Sequence, residues 1–217
     1  NSFYQQKRYH QAEIHYALAI ALLTNEMSNA KGAKGAKSKK QIKRKTKVQS
    51  LLASTIYFQA QSFQKTSPHL AVKHYLRLGK ILPKSRYRIN AEFDAANLLL
   101  EHELWQPAIN VLVAFKKRYP KHKYTASIPA KLAKSYEHLK MWELAAGQLL
   151  VMIKTANSVE LKREAQYTAA EYYSKAGNTE KARESYRTYV HTYPQPFAVA
   201  QEVRLKMSEF YLASKES

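Results

Sequence analysis

IPAKLAKSYEHLKMWELAAGQLLVMI, residues 128–153, holds two helical patterns joined with almost nothing between them. Residues 128–140 place Leu132, Ala133, Tyr136 and Leu139 at the three- and four-residue spacing of one helical face. Residues 141–153 do the same with Trp142, Ala145, Leu149 and Met152. A short turn between two such stretches predicts an antiparallel helix pair. The alanine falls where the pair crosses, because axes about 8–10 Å apart leave room for little more than a methyl group.

The pattern recurs. Ala71, Ala108, Ala145 and Ala182 are each 37 residues apart, and four residues after each stands Tyr75, Leu112, Leu149 or Tyr186. Twelve residues after each alanine stand Pro83, Pro120, Asn157 and Pro194. Proline cannot donate the next helical bond, so it stops the second helix of a unit. Only the unit ending at Asn157 departs. Gly177-Asn178 supplies a turn inside the last unit.

Running the register back from Ala71 reaches NAKGAKGAKSKKQIKRKTK, residues 29–47, which carries nine Lys or Arg and no acid. A further 22 residues back lies Ala12, flanked by Tyr9 and Tyr16 in the same spacing. The first unit is therefore present, and the basic run reads as an inserted loop, either functional or tolerated and kept soluble by charge. The expected organisation is an incomplete first repeat at 1–23 and a Lys-rich loop at 24–47. Repeats follow at 48–83, 84–120, 121–157 and 158–194, then a terminal helix at 195–217. The predicted fold is all-α, a right-handed superhelical solenoid of antiparallel helix pairs with a 37-residue period, about five repeats and a terminal helix.

Composition bounds the function. Of the net charge of +20, residues 1–90 supply +16, with 18 basic side chains against two acidic ones, Glu13 and Glu26. That half is suited to an anionic partner. No apolar run approaches the roughly 20 residues of a membrane span. The absence of cysteine excludes thiol nucleophiles, disulfides and cysteine-ligated metals. The chain opens inside a helical pattern and reads as a piece of a longer or processed polypeptide. Nothing in the pattern specifies an oligomeric state.

Catalytic constellations are sparse. Asp94 is the single aspartate, so paired-Asp chemistry is excluded. Glu101 and Glu103, two apart on a helix, do not face each other. His10 and His15, like His69 and His74, are five apart, whereas ligands on one helical face want three or four. Gly32 and Gly35 lack the strand and the Gly-Lys-Ser/Thr ending of a phosphate loop. Tyr16, Tyr75, Tyr136 and Tyr186 fall on core faces. The expectation is no enzyme activity, no metal and no cofactor. A second basic patch, Lys116, Lys117, Arg118, Lys121, Lys123, Lys131 and Lys134, reads as solvated helix ends.

Tyr9-Ala12-Tyr16, Trp105-Ala108-Leu112-Pro120, Trp142-Ala145-Leu149 and Ala182-Tyr186-Pro194 resemble the tetratricopeptide repeat family, over nearly the whole chain. The family period is about 34 residues, so each unit here is about one helical turn longer. FKKRYPKHKYTASIPAKLAKSY, residues 115–136, is similar in style to the tetratricopeptide proteins of Gram-negative cell envelopes, of the outer-membrane assembly lipoprotein and Tol-Pal cell-division coordinator type. The resemblance implies a non-enzymatic scaffold holding a protein or peptide on the concave face lined by first helices. Positions there outside the packing stripe are Asn90, Phe93, Asn97, Leu100, Ser127, Lys134, Glu137, His138, Tyr167 and Glu171. Some family members hold a terminal carboxylate in a Lys/Asn clamp, of which Asn90, Asn97 and Lys134 are a fragment. Lys31, Lys34, Lys37, Lys39, Lys40, Lys43, Arg44, Lys45 and Lys47 are the candidate anion-binding set, for an acidic protein partner. Nucleic acid or an anionic surface, bound through the basic first half and the Lys-rich loop, is the alternative partner, although no aromatic within 29–47 offers a base a stacking platform. The resemblance places the protein in the periplasm or on the periplasmic face of the outer membrane, with the cytoplasm the alternative.

Overall fold

The computed structural model describes residues 2–29 and 36–213, with side chains described for residues 7–29 and 39–209. Among the described residues there are ten α-helices, one short 3-10 helix and no strand. They are α1 (Ser2–Asn29), α2 (Ala36–Phe63), α3 (Pro68–Ile81), α4 (Tyr87–Glu101), α5 (Trp105–Arg118), α6 (Ile128–His138), α7 (Trp142–Thr155), α8 (Val159–Lys175), α9 (Thr179–Thr192) and α10 (Phe197–Ala213). The 3-10 turn, Lys123–Ser127, precedes α6. No described helix is long and apolar enough to cross a membrane.

The chain divides into two compact units, residues 1–104 and 105–217. In each, helices pack chiefly on their neighbours in sequence, the order expected of stacked helix pairs. The core of the first is built from Leu52, Ala53, Ile56 and Ala60 of α2, Ala71, Tyr75 and Leu78 of α3, and Ala91, Ala95 and Leu98 of α4. Tyr16 and Ile20 of α1 pack on its edge. In the second unit Ala145 and Ala146 of α7, Ala169, Ala170, Tyr172 and Tyr173 of α8, Ala182, Tyr186 and Tyr189 of α9, and Val203 of α10 form one cluster.

The 37-residue register is a packing register. Ala71, Ala108, Ala145 and Ala182 are fully buried, as are Tyr75 and Leu112, with Tyr186 nearly so and Leu149 half-buried. The second helices α3, α5, α7 and α9 end at the same place: the amides of Leu82, Tyr119, Ala156 and Tyr193 make the last backbone bond, to Leu78, Phe115, Met152 and Tyr189. Asn157 does not lengthen its helix, because Ser158 caps α8 by accepting from the Leu161 amide at 3.2 Å.

The first helices α4, α6 and α8 close with a shared left-handed turn. Glu103, Lys140 and Gly177 adopt positive φ of 57°, 56° and 73°. The amide after each reaches back five residues to donate to Leu99, Tyr136 and Tyr173 at 2.9, 2.8 and 3.0 Å, the bond of a Schellman ending.

The basic run is where expectation and structure part. Residues 24–29 belong to α1 and residues 36–47 to α2, while 30–35 lie outside the described residues. The described part of the insertion expected as a loop is helical instead and lengthens α1 and α2, which are 28 residues each, where α3 has 14 and α4 has 15. Lys, Arg, Gln and Ala are strong helix formers, and no Gly or Pro follows Gly35 until Pro68. Gln41, Lys45 and Val48 are half-buried on one face, and α1 is the main helix packed along α2. The apolar signal in 36–47 is too thin for periodicity to reveal that helix.

Candidate protein-binding surfaces

The basic helix α2 is the most charged surface described. Lys39, Lys40, Lys43, Arg44 and Lys47 are exposed and Lys45 is half-buried. Among the described residues none of the six forms an ion pair. Lys37 lies within α2, and Lys31 and Lys34 fall outside the described residues.

Beside the C-terminal half of this basic stretch opens a cleft of about 480 Å³ that the sequence did not disclose. Thr46, Gln49 and Ser50 of α2 form one wall and Leu82–Arg86, the link from α3 to α4, the other. Only Pro83 hinted at it, as a helix stop.

Asn90, Phe93, Asn97 and Leu100 share one face of α4 in the first unit, Asn90 exposed and the others half-buried. The Asn97 Oδ1 is buried without a hydrogen-bond partner among the described residues. Asp94 serves the core: its Oδ2 accepts from the Tyr57 hydroxyl at 2.6 Å, and burial raises its pKa against that bond's lowering pull.

In the second unit Lys134, Glu137 and His138 are exposed on α6. Lys134 and Glu137 line a cleft of about 390 Å³ with Leu149, Met152 and Tyr172. Burial first and the Glu137 carboxylate second push the Tyr172 hydroxyl's pKa upward. His138 is committed to Trp105, their rings stacked at 4.0 Å between centroids and 6° from parallel. Ser127 is exposed, its hydroxyl donating to the Tyr124 carbonyl at 2.9 Å.

Tyr167 and Glu171 are occupied from within the chain. Lys206 of α10 donates to the Tyr167 hydroxyl and to Glu171 Oε1, both at 2.8 Å, and its ammonium sits 5.2 Å from the Tyr167 ring centroid. The Tyr186 hydroxyl donates to the same carboxylate oxygen. Burial works to raise the Glu171 pKa, but the bonds from Lys206 and the two tyrosines outweigh it and hold the group below its usual range. The sequence could not foresee this, since Lys206 is 35 residues away from Glu171 on a helix with little apolar periodicity.

Part of the second basic patch conforms to a helix end, whereas Lys131 and Lys134 lie within α6. Lys116, Lys117 and Arg118 occupy the last turn of α5, where the helix C-terminus favours cations. Lys123 lies 5.4 Å from the Tyr124 ring centroid.

Residues 164–196, covering most of the expected fifth repeat, match the tetratricopeptide repeat family. No curated protein sequence matches the chain. Among solved structures it is similar to MamA 41-end from Desulfovibrio magneticus RS-1, at 17% identity and a TM-score of 0.47, over 76% of this chain and 93% of that one. A MamA RS-1 double mutant gives 16% identity and the same TM-score over 76% and 97%. BtubC from P. vanneervenii gives 13% and 0.45 over 92% and 84%.

Proposed function

We propose that this chain is a non-catalytic scaffold that binds an acidic partner protein or peptide, as part of a bacterial cell-envelope protein or complex on the periplasmic side. The observation that carries the binding reading is the face of α2. Lys39, Lys40, Lys43, Arg44 and Lys47 stand exposed on a packed helix without counter-ions among the described residues. Like charges held on one helix destabilise it, so a row with no internal partner is readily accounted for by an external one. Stacked helix pairs support the same reading, because they leave the outward faces of α4 and α6 free of core duty. The envelope placement rests on the style of residues 115–136.

Crosslinking in the native host tests the scaffold. The intact array should capture a protein, and a variant with Lys39, Lys43 and Lys47 changed to Glu should lose it. Capture that is indifferent to those changes would sink the acidic-partner reading. Cell fractionation tests the compartment, and recovery with the soluble cytoplasmic fraction would remove the envelope assignment.

Nucleic acid is the second reading that the same face favours. Phosphate neutralisation makes log affinity fall with log salt by about 0.9 per phosphate on duplex DNA. A steep slope that disappears on the Lys-to-Glu changes would select it.

A further inference from the structure

We propose that the cleft between α2 and the α3–α4 link is a docking site for an extended acidic peptide segment of a partner protein. This deepens the scaffold reading and rests on it.

The wall opposite α2 is built to stay in place. The Ser85 amide donates to the Leu82 carbonyl at 3.0 Å, and the Ser85 hydroxyl accepts from the Tyr87 amide at 3.2 Å. Arg88 donates to the Pro83 carbonyl at 3.0 Å and is itself held by Glu92 at 2.7 Å. Gly79 makes room for that pair, since a Cβ there would meet Arg88 Nε and Glu92 Oε1 at 3.0 Å. The link is therefore fixed before any ligand arrives, and its ordering cost is already met.

The chemistry of the lining selects the ligand. Leu82 is buried and supplies an apolar floor with Pro83. The Gln49 amide and Ser50 hydroxyl make no side-chain hydrogen bond among the described residues, leaving them open to a peptide backbone. Lys84 and Arg86 stand exposed on the rim with no ion pair among the described residues. On α2 the line Lys39, Lys43, Thr46, Ser50 keeps to one helical face, so cations continue that wall outward. No acid lines the cleft, and Glu92, nearest in sequence to the link, is neutralised by Arg88. A concave site with an apolar floor and a few placed polar groups fits a peptide. Duplex DNA is held largely through its phosphates and would leave the exposed Pro83 facing water.

The test uses the full chain and a fluorescein-labelled Glu-rich decapeptide with one central leucine, titrated at two salt concentrations. Lys84→Glu with Arg86→Glu should weaken binding roughly tenfold or more. Ser50→Trp, which fills the cleft without changing charge, should do likewise, while Lys116→Glu with Lys117→Glu in the second unit should change it less than about twofold. Circular dichroism checks that each variant folds, and Gln49→Ala serves as the milder probe if the tryptophan unfolds the unit. Equal weakening by both charge pairs would overturn the proposal, because attraction would then be diffuse. Binding indifferent to Ser50→Trp and Gln49→Ala, or a 20-base-pair DNA displacing the peptide from every variant alike, would overturn it too. Failure of the cleft variants with partner capture in the host intact would leave the scaffold standing and remove the site.

Discussion

Glu103 and Lys140, 37 residues apart, hold the same left-handed backbone conformation, at φ of 57° and 56°. Each ends a first helix, and the third member of the series is Gly177 at 73°. A side chain with a Cβ meets the following carbonyl in this region, at a cost of about 1–2 kcal/mol, partly recovered because glycine loosens the unfolded chain. Glu103→Gly and Lys140→Gly should therefore each raise stability by about 0.5–1 kcal/mol. Gly177→Ala should lower it by about as much. Urea unfolding measures all three, and a loss of stability in either glycine variant contradicts the account.

The contact between Lys206 and Glu171 ties α10 to α8. Their side chains are 31% and 30% exposed, so solvent screens part of the attraction, and Lys206→Met should cost about 0.5–1 kcal/mol. Hydrogen exchange in α10 should accelerate more than in α7. The Glu171 pKa lies below its unfolded value, so its contribution is present above the ordinary carboxylate range and is lost as pH falls through the lowered pKa. Glu171→Gln should flatten that acid limb of the stability curve. An unchanged limb would mean the carboxylate contributes nothing there.

What the sequence disclosed and what it hid follow from how each signal arises. Ala71, Ala108, Ala145 and Ala182 were legible because close helix crossings admit only small side chains, and the crossings repeat. The turn at Glu103 and Lys140 was not, because neither residue advertises a positive φ as Gly177 does. The helix over 36–47 was hidden because its lysines carry helix propensity but almost no apolar period. Among the groove candidates, Lys134 and Glu137 reach a common cleft, while His138, Tyr167 and Glu171 are engaged by Trp105 and Lys206. Those engagements come from residues on other helices, which a face-by-face reading cannot supply.

His74 makes the first unit sensitive to mild acid. Its Nδ1 accepts from Arg77 at 3.0 Å, its ring stacks on Phe63, and Arg77 also reaches Glu13 of α1 at 2.8 Å. Burial foremost, then Arg77, lowers the His74 pKa; Glu13 opposes them, and Lys73 and His10 add to them. A histidine that resists protonation when folded takes up its proton when unfolded, so stability is full above about pH 6.5 and declines as pH drops below it. His74→Gln should remove that slope between neutral pH and about pH 5. A wild-type unfolding midpoint that holds constant across the window would refute the assignment.

Ala145 and Gly147 lie two residues apart on α7 and should respond in opposite directions. Ala145 is fully buried at a helix crossing, so Ala145→Leu forces its neighbours off their rotamers and should cost about 1–3 kcal/mol. At Gly147 an added Cβ would meet nothing within 4 Å. Gly147→Ala therefore removes backbone freedom from the unfolded chain without a clash, and should stabilise by about 0.5–1 kcal/mol. Thermal unfolding of the two single variants reads both signs at once. Tolerance of leucine at 145 would mean that the recurring alanines do not mark close crossings, and the packing basis of the 37-residue register would fail with it.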